Sequence, residues 1–258
     1  MKLGFIGAGN MATGIARGLA SAEGEPGAPE AMLFADAAAD RARQVAEEVG
    51  GEALGSNREV ADAADLVVLA VKPNVLDDVA PDLVEAGTPV ISILAGTSLE
   101  RLDEALPGID LVRVMPNLGA QLRQAVLCVT YPDDLPEEAR GRARKLLALL
   151  GEVVEIDEGL IDAATALMGC TPGYLALMAE VLVEAGVEEG LTAEQSLSMV
   201  ARSMVATGGL LEHHQPADLK RAVASPGGMT EAGLDALEER EIREILLAAV
   251  DASLERVR

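Results

Sequence analysis

Gly7, Gly9 and Ala12 stand in the order G-x-G-x-x-A, directly after the apolar run 3–6 and directly before a stretch of helical periodicity. That spacing suits a strand turning sharply into a helix. The first glycine permits the turn, the second lets the backbone approach a pyrophosphate, and a small third residue lets helix and strand pack closely. Phosphates seated there would meet unpaired N–H groups and the positive end of the helix dipole. Taken alone the triplet is a weak signal, but here its strand begins at the third residue and opens an alternating α/β chain.

Two further positions bear on a bound dinucleotide. Asp36 ends the second apolar run, where a carboxylate accepts a ribose 2′-hydroxyl and repels a 2′-phosphate, which favours NADH. Arg41 and Arg43 follow it; they either oppose that preference or serve as solvated helix residues, so the choice of nicotinamide stays open at this point. Ala70-Val71-Lys72-Pro73 follows the third run at its C-terminal end, where open α/β sheets bind ligands. Lys72 there either approaches the cofactor or only caps the loop, while Pro73 fixes the turn. The two cysteines, Cys128 and Cys170, show no metal-ligand spacing, and the only histidines are the adjacent His213 and His214, so no zinc site is expected.

The elements that must position these groups follow from periodicity. Short apolar runs at 3–6, 32–35, 66–71, 90–94, 111–115, 125–130 and 153–156 alternate with helical candidates such as 11–20, 39–49 and 137–150. This is the pattern of βαβ units and a parallel sheet. After Asp157 only helical periodicity remains, which predicts an α/β protein of two parts: a Rossmann-type dinucleotide-binding domain over 1–157 and an all-α domain over 158–258. Residues 163–179 carry no charge but are interrupted by Gly169, Pro172 and Gly173; they read as a buried helix with a break rather than a membrane span. Leu175, Leu177, Met178, Val181, Leu182 and Val183 make the next helix apolar on nearly every face. Thr192 to Gln195 reads as a capping box, Pro216 as a first helical position, and one last helix is expected from about Thr230 through Ala249. A helical domain this small cannot bury such a helix by itself, so dimerisation through these helices is expected.

The 258 residues carry 20 Lys+Arg against 43 Asp+Glu, a formal charge of −23, with half of the chain apolar. Intrinsic disorder is excluded, and a surface so negative makes nucleic acid a poor partner. Acidic residues spread along the whole chain suit either a protein kept soluble in strong salt or an ordinary acidic one. The N-terminus lacks a signal-peptide pattern, so a cytoplasmic location is expected.

GFIGAGNMATGIARGL from Gly4, VVLAVKP from Val67, ISILAGTSL from Ile91, RVMPN from Arg113, IDAATAL from Ile161 and SPGGMTEAGL from Ser225 together resemble the pyrroline-5-carboxylate reductase family over essentially the whole chain. The Ser-Pro-Gly-Gly-x-Thr turn is the most telling of them. The resemblance implies reduction of 1-pyrroline-5-carboxylate to L-proline with NAD(P)H. It implies that Gly7, Gly9, Asn10 and Met11 hold the dinucleotide phosphates, that Asn57 lies near the adenosine ribose, and that Ala70, Lys72 and Pro73 border the nicotinamide side. It implies that Ser225, Gly227, Gly228, Met229 and Thr230 receive the imino-acid substrate, with Thr230 hydrogen-bonding the ring nitrogen as the catalytic group. It also implies a homodimer or higher homo-oligomer whose helical domains interlock, so that the substrate loop of one chain faces the cofactor of the other.

Two segments depart from the family's usual wording. Met115-Pro116-Asn117-Leu118-Gly119 stands for M-P-N-T-P, and Met168 to Tyr174 stands for S-G-S-G-P-A-Y, with the loss of a threonine and two serine hydroxyls. These motivate the alternatives: a related imine or carbonyl reductase with another small substrate, or a catalytically silent NAD(P)-binding regulatory protein. A hydride donor, a seat for the substrate carboxylate and a protonated imine suffice for C=N reduction, so the absence of a placed His or Cys agrees with the chemistry. The Gly227-Gly228 turn, beside a helix start, is expected to offer backbone N–H groups to that carboxylate.

Overall fold

The runs near the N-terminus are short, continuous and apolar because they are covered on both faces. The computed structural model, which describes residues 1–256, threads the chain in the order β1 (Lys2–Ile6), α1 (Asn10–Ala20), β2 (Ala31–Ala35), α2 (Ala39–Val49), β3 (Glu52–Ala53), α3 (Asn57–Ala63), β4 (Leu66–Leu69), α4 (Leu76–Ala86), β5 (Val90–Ser92) and α5 (Leu99–Ala105). There follow β6 (Leu111–Pro116), β7 (Ala125–Thr130), α6 (Glu137–Ala148), β8 (Gly151–Glu155) and α7 (Ile161–Ala164), then α8 (Thr171–Glu188), α9 (Ala193–Leu211), α10 (Pro216–Val223), α11 (Met229–Glu239) and α12 (Ile242–Glu255).

The eight strands form one sheet in the order β3-β2-β1-β4-β5-β6-β7-β8. Strand order reverses between β1 and β4, the crevice position at which doubly wound sheets bind ligands. The first six strands are parallel, as expected, but β7 pairs antiparallel with β6, Met115 opposite Cys128. The sheet is therefore mixed rather than wholly parallel. Only the single 3₁₀ turn Leu118–Leu122 joins β6 to β7, and a parallel return needs a crossover of about a dozen residues or more.

Alternation along β1 divides the core. Leu3 and Phe5 face one layer with Ile15, Leu19, Phe34 and Leu146, and Phe5 stacks on Phe34 with centroids 4.8 Å apart. Ile6 faces the other with Leu69, Leu76, Leu83 and Leu102. Gly4 lets α3 close on the sheet: a Cβ there would lie 2.7 Å from Val60 Cγ1. A third, small cluster joins Met115 and Cys128 to Ile161.

By its internal contacts the chain divides into compact units at Gly169. Residues 158–168 pack against β6 and β7 through Ile161 and Met168. The expected break in the uncharged stretch falls at a π-turn, Thr165–Gly169. The stretch is not the buried helix expected from its composition, since Ala166 is its one buried residue and α8 has none.

The second unit, Cys170 to Arg256, is helical throughout. Gly186 lets α8 and α9 approach closely; its Cβ would lie 2.5 Å from Ser196 Oγ. The capping box forms as expected, with Thr192 Oγ1 accepting Gln195 N–H and Gln195 Oε1 accepting Thr192 N–H. Tyr174 ties α8 to α12 through Ser253 Oγ at 2.7 Å and the Ala249 carbonyl at 3.2 Å. The single helix expected from Thr230 to Ala249 is two helices, separated at Glu241, whose φ of 57° lies in the left-handed region and cannot continue α-helical geometry. Among the described residues of this unit, Ser196 alone is buried.

Candidate cofactor and substrate sites

The G-x-G-x-x-A turn leaves β1 at the switch point. Gly7 N–H donates to Ala35 O and Ala70 N–H to Ile6 O, both at 2.8 Å, so the turn is stitched to β2 and to the end of β4. Gly7 has φ +96°, and a Cβ on it would lie 2.6 Å from Ala70 O; only glycine satisfies both demands. Gly9 differs: nothing lies within 4 Å of where its Cβ would be. Space is kept there that no protein atom fills.

Above it, α1 begins without a side-chain cap and without an acidic residue in its first turn. The amides of Asn10 and Met11 are thus among the unpaired donors of a helix start, at the positive end of its dipole. The hydroxyl of Thr13 donates back to Gly9 O at 2.9 Å. An open cradle and an uncapped helix with no acidic residue in its first turn fit a dinucleotide pyrophosphate.

Asp36 lies beside the turn. Its Oδ2 accepts Ala8 N–H at 2.7 Å and its Oδ1 accepts Ala38 N–H at 2.8 Å. Arg41 reaches the same loop, donating from Nε to Ala8 O at 2.9 Å and from Nη2 to Thr13 Oγ1 at 3.0 Å. Arg43 pairs instead with Asp40 on the exposed side of α2. Asn57 opens α3 after the Ser56 cap, just beyond β3, the strand that flanks β2. On the other side of the turn, Ala70, Lys72 and Pro73 form the loop after β4, with Pro73 starting a 3₁₀ turn and Lys72 exposed.

Asn117 was quoted within RVMPN but given no role by sequence reasoning. Its Oδ1 accepts Gly119 N–H at 3.2 Å and Val126 N–H at 3.3 Å, and its Nδ2 donates to Met168 O at 3.2 Å. The two segments that depart from the family wording are therefore joined by one side chain. An asparagine closing a strand ahead of a tight turn is the signal that could have found it. Burial among apolar neighbours pushes the nearby Cys128 thiol up from its ordinary value, which makes it a poor nucleophile.

The expected substrate turn lies in the helical unit. Gly227 adopts φ +68° and Gly228 caps α11. A Cβ on Gly228 would lie 2.5 Å from Ser225 Oγ. Contrary to expectation, neither glycine amide is free: Gly227 N–H donates to Glu231 Oε2 at 2.6 Å and Gly228 N–H to Ser225 O at 2.9 Å. The turn closes on itself and leaves the first-turn amides of α11, those of Met229 and Thr230, as the donors facing outward. Met229 is 94% exposed and Thr230 is exposed beside it.

A doubly wound sheet with a glycine cradle at its switch point, followed by a separate helical unit, defines a nicotinamide-dinucleotide oxidoreductase with a C-terminal association domain. The model of one family, pyrroline-5-carboxylate reductase dimerisation, matches residues 158–258, and that of another, NADP oxidoreductase coenzyme F420-dependent, matches residues 2–96. The pyrroline-5-carboxylate reductase of Thermus thermophilus is 37% identical, over 99% of this chain and 97% of its own length. Crystal structures of 1-pyrroline-5-carboxylate reductase from Streptococcus pyogenes match with TM-score 0.89 and 32% identity, covering 100% of this chain and 98% of theirs. The Plasmodium falciparum pyrroline carboxylate reductase with NADP bound matches with TM-score 0.86 and 27% identity over 100% and 97%. The chain belongs to the pyrroline-5-carboxylate reductase family.

Proposed function

We propose that this chain reduces 1-pyrroline-5-carboxylate to L-proline with NAD(P)H as hydride donor. The observation that carries the reading is the likeness to named pyrroline-5-carboxylate reductases over 99% of the chain, through both the dinucleotide unit and the helical unit. The reduced nicotinamide, when bound, supplies hydride to the imine carbon. The protein's own groups hold and orient. Gly7, Gly9, Asn10 and Met11 seat the pyrophosphate, Asp36 and Asn57 flank the adenosine ribose, and Ala70, Lys72 and Pro73 border the nicotinamide. The free amides of Met229 and Thr230, at the positive end of α11, attract the substrate carboxylate. Ser225, Gly227 and Gly228 shape that turn. The Thr230 hydroxyl hydrogen-bonds the ring nitrogen, which arrives protonated and needs no acid from the protein.

The working form is a homodimer formed through the C-terminal helices. Supporting this, α8 and α9 leave Leu177, Val181, Leu182, Leu197 and Met199 exposed. Residues 158–188 are long and apolar enough by composition to cross a membrane, but they fall within the residues matched by the dimerisation model, so a second copy covers them. Two free thiols, Cys128 and Cys170, suit a reducing cytoplasm.

The test is oxidation of NADH and NADPH by the purified protein with 1-pyrroline-5-carboxylate, in low and in multimolar salt. Proline formation establishes the reading; none from folded, cofactor-binding protein in any salt sinks it. Thr230→Ala is expected to lower kcat by about tenfold to a hundredfold, the worth of one charge-assisted hydrogen bond, while the cofactor Kd stays unchanged. Unchanged steady-state constants would remove Thr230 from the reacting centre.

A further inference from the structure

We infer that this enzyme prefers NADH to NADPH, with Asp36 setting the preference and Arg41 acting as a brace of the glycine turn rather than as a receptor for a 2′-phosphate. The inference rests on the reading that the dinucleotide occupies the β1–α1 crevice. Charge alone leaves the matter open, because a carboxylate and two arginines follow β2. The hydrogen bonds decide it.

Asp36 is fixed from two sides, by Ala8 N–H at 2.7 Å and Ala38 N–H at 2.8 Å. Each carboxylate oxygen accepts a second hydrogen bond, so a ribose hydroxyl can still be received. A 2′-phosphate brought to the same place meets a negative charge that is tethered to the loop and cannot swing away.

Arg41, the nearer compensating cation, is held at each of its three nitrogens, Nε on Ala8 O at 2.9 Å, Nη2 on Thr13 Oγ1 at 3.0 Å and Nη1 on Gln44 Oε1 at 3.1 Å, which commits three of its five N–H donors. Its head is anchored to the loop that binds the pyrophosphate, and it cannot turn its whole fork toward a phosphate without releasing that loop. Arg43 sits two residues on, a spacing that points the side chains of a helix to different faces, and it pairs with Asp40. The peptide groups flanking Ala8 are thus clasped, the N–H by an acid and the carbonyl by a base. The cradle is set before any cofactor arrives.

The experiment is equilibrium titration of the full-length protein with NADH and with NADPH, in one buffer and salt, without substrate, read by calorimetry. Wild type is expected to bind NADH about tenfold or more tightly than NADPH, the equivalent of one lost charge-assisted bond. Asp36→Ala and Asp36→Asn should bring the ratio of the two Kd values toward one. Arg41→Met should weaken both cofactors by the same factor, and Arg41→Lys should restore part of each. Tighter NADPH binding by wild type, or an Arg41→Met variant that loses NADPH alone, overturns the inference while leaving the crevice as the cofactor site. Binding of neither cofactor overturns the crevice reading and the inference together.

Discussion

Two glycines two residues apart in the same turn ask opposite things of a substitution. At Gly7 an added methyl meets Ala70 O at 2.6 Å on a backbone with φ +96°, so Gly7→Ala should cost about 1–3 kcal/mol of stability from the backbone alone and weaken the cofactor as well. At Gly9 an added methyl meets no protein atom within 4 Å. Gly9→Ala should leave the Tm unchanged and raise the cofactor Kd, because the methyl enters space meant for phosphate. Thermal melts beside cofactor titrations separate the two. Both glycines were legible in sequence from spacing alone. What was not legible was the hydrogen bonding of polar side chains: Arg41 on Ala8, Asn117 on Met168 and Glu231 on Gly227 span sequence distances or turn geometries that no local pattern encodes. Acid titration belongs to this scale too. Arg123 holds the Glu25 carboxyl below its usual value by hydrogen bonding, and Arg17 does the same for Glu48. The folded carboxyls therefore release protons more readily than the unfolded ones. Their contribution is present above the unfolded value of about 4.3 and is lost as pH falls through the lower folded value. A Glu25→Gln, Glu48→Gln variant should show a shallower fall of Tm between about pH 5 and 3 than wild type; an equal slope would contradict it. Both pairs are exposed, so the difference should be small.

At the scale of elements, period and punctuation identified seven of the eight strands and helices in both units, because burial on both faces writes continuous apolar runs and caps write local signals, whereas the two-residue β3 and the helices α3, α4 and α5 were not among them. Pairing direction was not written there. The antiparallel β7 depends on the connection at Leu118–Leu122 being short and tight, and that turn is held against α1. A Cβ on Gly18 would lie 2.1 Å from Ala120 O and 2.7 Å from Leu150 Cδ2. Gly18→Ala should therefore push the turn off the helix, with a loss of about 1–3 kcal/mol as for other overpacked sites, measurable by denaturant unfolding. A helix that tolerates this alanine without loss would show that the turn is loosely seated. The last helix reads as one piece in sequence because no glycine or proline announces the break at Glu241, where the backbone is nonetheless left-handed.

At the scale of the molecule, charge and oligomeric state interact. A net charge of −23 repels itself within and between protomers, and salt screens that repulsion over a Debye length of about 8 Å at physiological ionic strength. The Tm and the assembled fraction are both expected to rise with added salt; a Tm insensitive to salt would mean that repulsion among the excess acidic residues does not weigh on folding. Val181→Glu, placed on an exposed apolar face of α8, should reduce the homo-oligomer to smaller species or to a partly unfolded chain by light scattering, leaving the dinucleotide unit folded. An assembly of unchanged mass would put the interface elsewhere.

A helical unit in which Ser196 alone is buried has almost no interior of its own, so its solidity is borrowed from the number of copies around it. Mass action then enters where a monomeric enzyme has none. Melting temperature becomes a function of dilution, the final refolding step becomes second order, and a chain damaged in these helices withdraws an intact one from use whenever the two meet.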